Sequence, residues 1–204
     1  MRLGLISDIH ADHRALARAL DILAARGVDR VVCMGDIVEK GPDGDRVVAT
    51  LREHLVACVR GNHDDNAVRR WHDGDRTGDD LLHDPDSVAF LAALPAERAY
   101  CWDGVHVVLS HIAPAGLDAA VLPGHVPKPL LRALRNYDAD LVLLGHTHRP
   151  MCTRHGDRWF INPGSVAGAR GRDSHTCAIL ELPSLALTVY SLHDARPVPL
   201  LAQR

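Results

Sequence analysis

The chain has 204 residues, a formal net charge of −3, and 47% hydrophobic against 24% charged residues. That balance suits a single globular domain over residues 1–204 with a good-sized core. The charge lacks the basic footprint of an extended nucleic-acid binder, and no apolar run approaches the ~20 residues of a membrane helix.

The first apolar run, Leu3-Gly4-Leu5-Ile6, reads as a buried strand and ends at Ser7-Asp8-Ile9-His10. Residues 13–26 follow with Leu16, Ala19, Leu20, Leu23 and Ala24 at helical spacing, and Gly27 is placed to end that helix. Asp12, just before it, is a candidate helix cap. Val31-Val32-Cys33-Met34 is the second strand and runs into Gly35-Asp36. A helix over 45–54, with Val47, Val48 and Leu51 inward, leads to a third strand, Val56-Ala57-Cys58-Val59, and then to Gly61-Asn62-His63-Asp64. This alternation predicts parallel strands joined by right-handed crossovers.

Residues 65–98 break the rhythm. They are rich in Asp, Arg and Gly, with short helical pieces expected at 67–71 and 86–93, and read as a helical and loop insertion over the strand ends. The acidic stretch 73–80 lacks the spacing of an EF-hand calcium loop. Beyond Tyr100 the character turns to β structure. Strands are expected at 105–109, ending at Ser110-His111, and at 141–144, ending at Gly145-His146-Thr147-His148, with a helix over 129–136 between them. Later strands are expected at 159–161, 176–182 and 185–192, the last two as a hairpin. Two packed mixed β-sheets flanked by helices, an α/β four-layer α-β-β-α sandwich, fit this order better than one doubly wound sheet.

Histidine occurs 14 times, a side chain that binds metals and moves protons near neutral pH. His10, His63, His111, His146 and His148 all stand at or just after strand ends, together with Asp8, Asp36 and Asn62. Small residues precede these ligand types, which lets the backbone turn tightly and pass close to its neighbours. An extended chain would put Asp8 and His10 on one side, and likewise His146 and His148. The five cysteines form no CxxC pair; reduced thiols and a cytoplasmic protein are expected.

In order and spacing, Asp8-x-His10, Gly35-Asp36, Gly61-Asn62-His63-Asp64, His111 and Gly145-His146-Thr147-His148 closely resemble the calcineurin-like metallophosphoesterases, nearest to their small bacterial and archaeal phosphodiesterase-like branch. The likeness extends to Asn162-Pro163-Gly164-Ser165. It implies two divalent ions bridged by Asp36, one also held by Asp8, His10 and His148, the other by Asn62, His111 and His146. Mixed nitrogen and oxygen ligands suit Mn, Fe, Zn or Ni, with Mg also possible and Mn the ion expected to serve in assay. The implied reaction is attack of a metal-bound hydroxide on phosphorus in a small phosphodiester. His63 is the implied catalytic residue, protonating the leaving oxygen or stabilising the charge that develops, Asp64 the residue implied to orient it, and Asn62, His63, Arg149 and Arg14 the implied substrate contacts.

The expected partner is thus a small phosphoester, with no extended nucleic acid and no membrane; the pattern carries no signal for oligomeric state. One such centre also serves phosphomonoesterases and dinucleoside-polyphosphate pyrophosphatases, which need further cations. Arg14, Arg149 and Lys128 are the candidates. A metal-free binding scaffold is the alternative of another class, disfavoured because every ligand position is filled.

Overall fold

The computed structural model describes residues 1–75, 77–78, 80–168 and 173–200; Arg76 and Asp79 of the acidic stretch lie outside the described residues. The first half reads β1 (Arg2–Ile6), α1 (His13–Ala24), β2 (Arg30–Cys33), α2 (Gly44–Glu53), β3 (Ala57–Cys58), α3 (Asn62–His72) and α4 (Pro85–Ala93). The second reads β4 (Glu97–Trp102), β5 (Val105–Ser110), α5 (Lys128–Ala133) with a 3₁₀ turn (Leu134–Asn136), β6 (Leu141–Leu143), β7 (Met151–His155), β8 (Arg158–Asn162), β9 (Thr176–Glu181), β10 (Ala186–Ser191) and β11 (Pro197–Val198).

Two mixed sheets form. The six-stranded sheet has the order β11-β10-β9-β1-β2-β3 and the five-stranded sheet the order β4-β5-β6-β8-β7. Strands β1, β2 and β3 are parallel to one another, as are β5, β6 and β8, while β9, β10 and β11 and the outer strands β4 and β7 pair antiparallel. Each parallel set carries its C-terminal ends to the same rim, as βαβ connections require.

Side-chain alternation builds the layers. Leu3, Leu5 and Val32 of the first sheet meet Val107, Leu109, Leu141, Leu143 and Ile161 of the second in a core between the sheets. Ile6 and Cys33 point the other way and pack under Leu16, Leu23, Val47, Leu51 and Leu91 of the helices. On the far side Val108, Val142 and Phe160 are covered by Leu130 and Leu134. Each fully buried leucine contributes about 1.5–3 kcal/mol by leaving water, so both rows of every central strand are committed and register is fixed.

Asp12 caps α1, its carboxylate accepting from Ala15 N at 2.9 Å. Helices α3 and α4 belong to the helical layer, with Ala67, Leu82 and Val88 buried in the same cluster as α1 and α2. Among the described residues no helix is long and apolar enough to cross a membrane.

Candidate metal centre

Past their last strand residues the parallel strands stay zipped together. Asp8 N donates to Gly35 O and His10 N to Asp36 O, both at 3.0 Å, and Gly145 N donates to His111 O at 2.9 Å. The ligand-bearing turns are not extended. Asp8, His10, Asp36, His146 and His148 have φ of 54°, 50°, 53°, 66° and 57°, the left-handed region that side chains with a Cβ avoid. The expected alternation about Ile9 and Thr147 is therefore not what brings these residues together; left-handed turns aim them inward instead. Such conformations cost on the order of 1–3 kcal/mol each and persist where the surroundings over-determine them. Two glycines are sterically required: a Cβ on Gly61 would overlap Asp36, and one on Gly145 would overlap Ser7 and crowd His111 Nδ1 at 3.1 Å.

The turns bring together two groups of side chains that share Asp36. Asp8, His10, Asp36 and His148 each place one ligand atom within 4.8 Å of the others, and so do Asp36, His111 and His146. Asp36 Oδ2 lies 3.2 Å from His111 Nε2 and 3.9 Å from His10 Nε2, so one oxygen faces both groups. Asn62 Oδ1 joins the second group, 3.2 Å from His111 Nε2 and 3.1 Å from His146 Nδ1. In the first, His148 Nε2 lies 3.2 Å from both Asp8 Oδ1 and His10 Nε2. All seven expected metal ligands thus converge.

Outer contacts settle which nitrogens face inward. His148 Nδ1 donates to Asp173 Oδ1 at 2.6 Å and His111 Nδ1 to Met34 O at 2.6 Å, leaving each Nε2 toward the cluster. Burial lowers the His10 pKa to about 4, outweighing the pull of Asp36, so this imidazole is neutral with a lone pair to give. Burial would raise Asp36, but the hydrogen bond and charge of His111 outweigh it and hold this carboxylate well below the usual range. The same pairing overcomes burial at His111 and holds its pKa up at about 9. Two carboxylates, one amide oxygen and inward-facing imidazole nitrogens around two adjacent points are a donor set for borderline divalent cations, and the residues fit that group.

His63 stands beside the first cluster, its ring 5.0 Å from that of His10 and its backbone N donating to Asp36 Oδ1 at 3.0 Å. Its orienting partner is not Asp64. His63 Nδ1 donates to Glu39 Oε2 at 2.6 Å, and Glu39 is in turn held by Asn66 Nδ2 at 2.5 Å and Arg70 Nη1 at 3.4 Å. Asp64 is fully buried and turns back on the backbone, accepting from Ile37 N at 2.8 Å, Val38 N at 3.1 Å and Gly61 N at 2.8 Å. The physical reason is that α3 begins at Asn62. Neighbouring residues on a helix point about 100° apart, and an acid in the third helical position folds back onto the cap.

Arg14 and Arg149 are exposed and make no hydrogen bond or ion pair among the described residues. Among the described residues Lys40 brings a cation to the cluster, its Nζ 3.1 Å from His10 Nε2. Glu39, Lys40 and Asp173 were not legible as site residues. The signal for the first two was a charged pair between Ile37-Val38 and Gly41, in the turn directly after a ligand; Asp173 had none.

The chain matches the calcineurin-like phosphoesterase superfamily domain over residues 1–184. It belongs to that superfamily. Among curated relatives of the superfamily it is similar to the phosphodiesterase YfcE of Escherichia coli, 27% identical over 95% of this chain and 94% of that protein. It is 30% identical to the symmetrical bis(5'-nucleosyl)-tetraphosphatase of Pseudomonas putida, but over 44% of this chain and 31% of that protein. Among solved structures, a metallophosphoesterase from Sphaerobacter thermophilus superposes with a TM-score of 0.74 at 25% identity, covering 98% of this chain and 90% of the other. The two mixed sheets and five helices are thus the metallophosphoesterase fold, and the paired His and Asp clusters are consistent with a dinuclear metal site.

Proposed function

We propose that this chain is a phosphodiesterase that hydrolyses small phosphodiesters with two divalent ions. The observation that carries the proposal is the shared Asp36: a single carboxylate oxygen faces two ligand groups, with His63 beside them. Asp8, His10, Asp36 and His148 would hold one ion and Asp36, Asn62, His111 and His146 the other; such a pair clamps phosphoryl oxygens and acidifies a water. Asp36 and Asp8 anchor the centre with negative charge, and the backbone of His146 steadies Asp8 through hydrogen bonds of 3.1 and 3.2 Å.

His63 is assigned the proton for the leaving oxygen. Glu39 occupies Nδ1 and fixes the ring, leaving Nε2 as the nitrogen that can serve the substrate. Lys40 adds positive charge at the edge of the site, beside His10. The coverage of the YfcE likeness, nearly end to end, supports the diester reading.

The likeness to the tetraphosphatase supports a second reading, hydrolysis of dinucleoside polyphosphates. Turnover of bis(p-nitrophenyl) phosphate, p-nitrophenyl phosphate and diadenosine tetraphosphate with added Mn²⁺ separates the readings. The diester is expected to show the highest kcat/KM, by roughly tenfold or more, a difference of about 1.4 kcal/mol. A preference for the tetraphosphate or the monoester overturns the diester assignment, and absence of all three activities in the Mn²⁺-loaded protein favours a scaffold.

A further inference from the structure

Cations that the metal centre does not use are gathered elsewhere. A cavity of about 450 Å³ opens where α5 and its 3₁₀ extension meet the turn between β7 and β8. Lys128, Arg132, Arg135, His155 and Arg158 line it, half-buried Leu131 gives it an apolar edge over the fully buried Leu134, and its lining contains no carboxylate. Lys128 and Arg132 stand at i and i+4 on α5, where side chains are neighbours, and Arg135 follows in the 3₁₀ turn.

None of these five side chains makes an ion pair among the described residues. Arg60 and Arg70, by contrast, sit on Asp65 and on Glu39, Asp75 and Asp80. Arg158 is pinned by backbone carbonyls, Nε to Ala139 O at 2.7 Å and Nη2 to Tyr137 O at 2.9 Å, which leaves Nη1 uncommitted. In a chain of net charge −3, gathering like charges without counter-ions creates a repulsion that a bound anion relieves.

The cavity is also remote from the metal centre. Arg158 opens β8, whereas Asn162 closes it and donates to Gly145 O beside the ligands. Four steps of strand at ~3.3 Å separate the two ends by about 13 Å.

We propose that this cavity binds a small polyphosphorylated anion that carries an apolar ring, of the nucleoside di- or triphosphate class, independently of the hydrolytic centre. Guanidinium forks match phosphate oxygens, the half-buried side chain of Leu131 offers an apolar edge to a ring, and the volume lies within the range of small-ligand sites. The test is calorimetric titration of the metal-loaded full chain with the β,γ-methylene analogue of ATP. Saturable binding is expected, weakened at least tenfold by Arg132→Ala with Arg135→Ala and by raising salt from about 0.05 to 0.5 M. Binding should be retained in Asp36→Asn, which cripples the metal centre, and partly restored by Arg132→Lys with Arg135→Lys. Inorganic tripolyphosphate is expected to bind more weakly, for want of a ring. Unchanged melting and diester turnover in the double arginine variant report an intact fold. No saturable binding, binding lost in Asp36→Asn but kept in the arginine variant, or an RNA oligomer that binds while the nucleotide cannot displace it would each overturn the proposal.

Discussion

His63 and Glu39 act as one unit if His63 delivers the proton. His63→Ala should keep its metals yet lose about 10²–10⁴-fold in kcat, the usual worth of a positioned acid. Glu39→Gln should lose part of that range with KM and metal content unchanged, because the ring is freed but present. The two changes together should cost little more than His63→Ala alone, a non-additivity that a double-mutant cycle reads directly. Additive losses would separate Glu39 from the proton transfer. Asp173 positions a ligand in the same manner. By accepting from His148 Nδ1 it fixes which nitrogen faces the cluster, so Asp173→Asn should weaken metal affinity roughly 10–100-fold in competition with a chromogenic chelator. Wild-type affinity in that variant would reduce the contact to packing.

The rim residues were legible because each stands where a buried Val, Ile or Leu run gives way to a small residue. Glu39 and Asp173 were not, because their partners lie 24 and 25 residues away and nothing local announces the contact. The Asp64 assignment failed for a different reason: adjacency in sequence was read as adjacency in space.

At the scale of elements, the first turn of α3 decides how the site is held. Its N-terminal residue is Asn62, and its third, Asp64, ties Gly61 to the turn at 37–38 through three backbone N–H groups. Burial, followed by the charge of Asp36, pushes the Asp64 pKa up to about 7 against those N–H bonds. Asp64→Ala would strand buried donors, at a cost of about 1–3 kcal/mol or more. A chain of this size loses roughly 2–4 °C in Tm per kcal/mol, so thermal unfolding should show a clear drop. An unchanged Tm would remove the clamp. The apolar strands, edge strand β3 among them, were legible in the sequence, whereas β4, β7 and β11 were not. Edge strand β4 has no fully buried residue and β7 opens on Met151 directly after Pro150, so neither shows the continuous apolar run of a strand covered on both faces. Segment 62–72 was read as a short helix starting late, because Asn, His and Asp fill its first turn for the needs of the site.

For the whole molecule, the sandwich gathers ligands from five separate turns, so metal binding and folding are linked. Ions that bind the native chain and not the unfolded one raise stability by RT ln(1 + [L]/Kd), about 2.7 kcal/mol at a hundredfold excess over Kd. Removing metal with a chelator should therefore abolish hydrolysis and lower Tm by several degrees, and Mn²⁺ should restore both. The fold class followed from the order of strands and helices, since alternation of βαβ units leaves few topologies. Division into two sheets was legible only through the polar break at 65–98 and the strand-rich second half.

The most direct measurement is elemental analysis of the purified chain after Mn²⁺ loading, alongside diester hydrolysis, for wild type and Asp36→Asn. Two ions per wild-type chain are expected, with both ions and turnover lost when the shared carboxylate is removed. A wild-type chain that saturates with no metal, or an Asp36→Asn protein that keeps two ions and full activity, would contradict the dinuclear account.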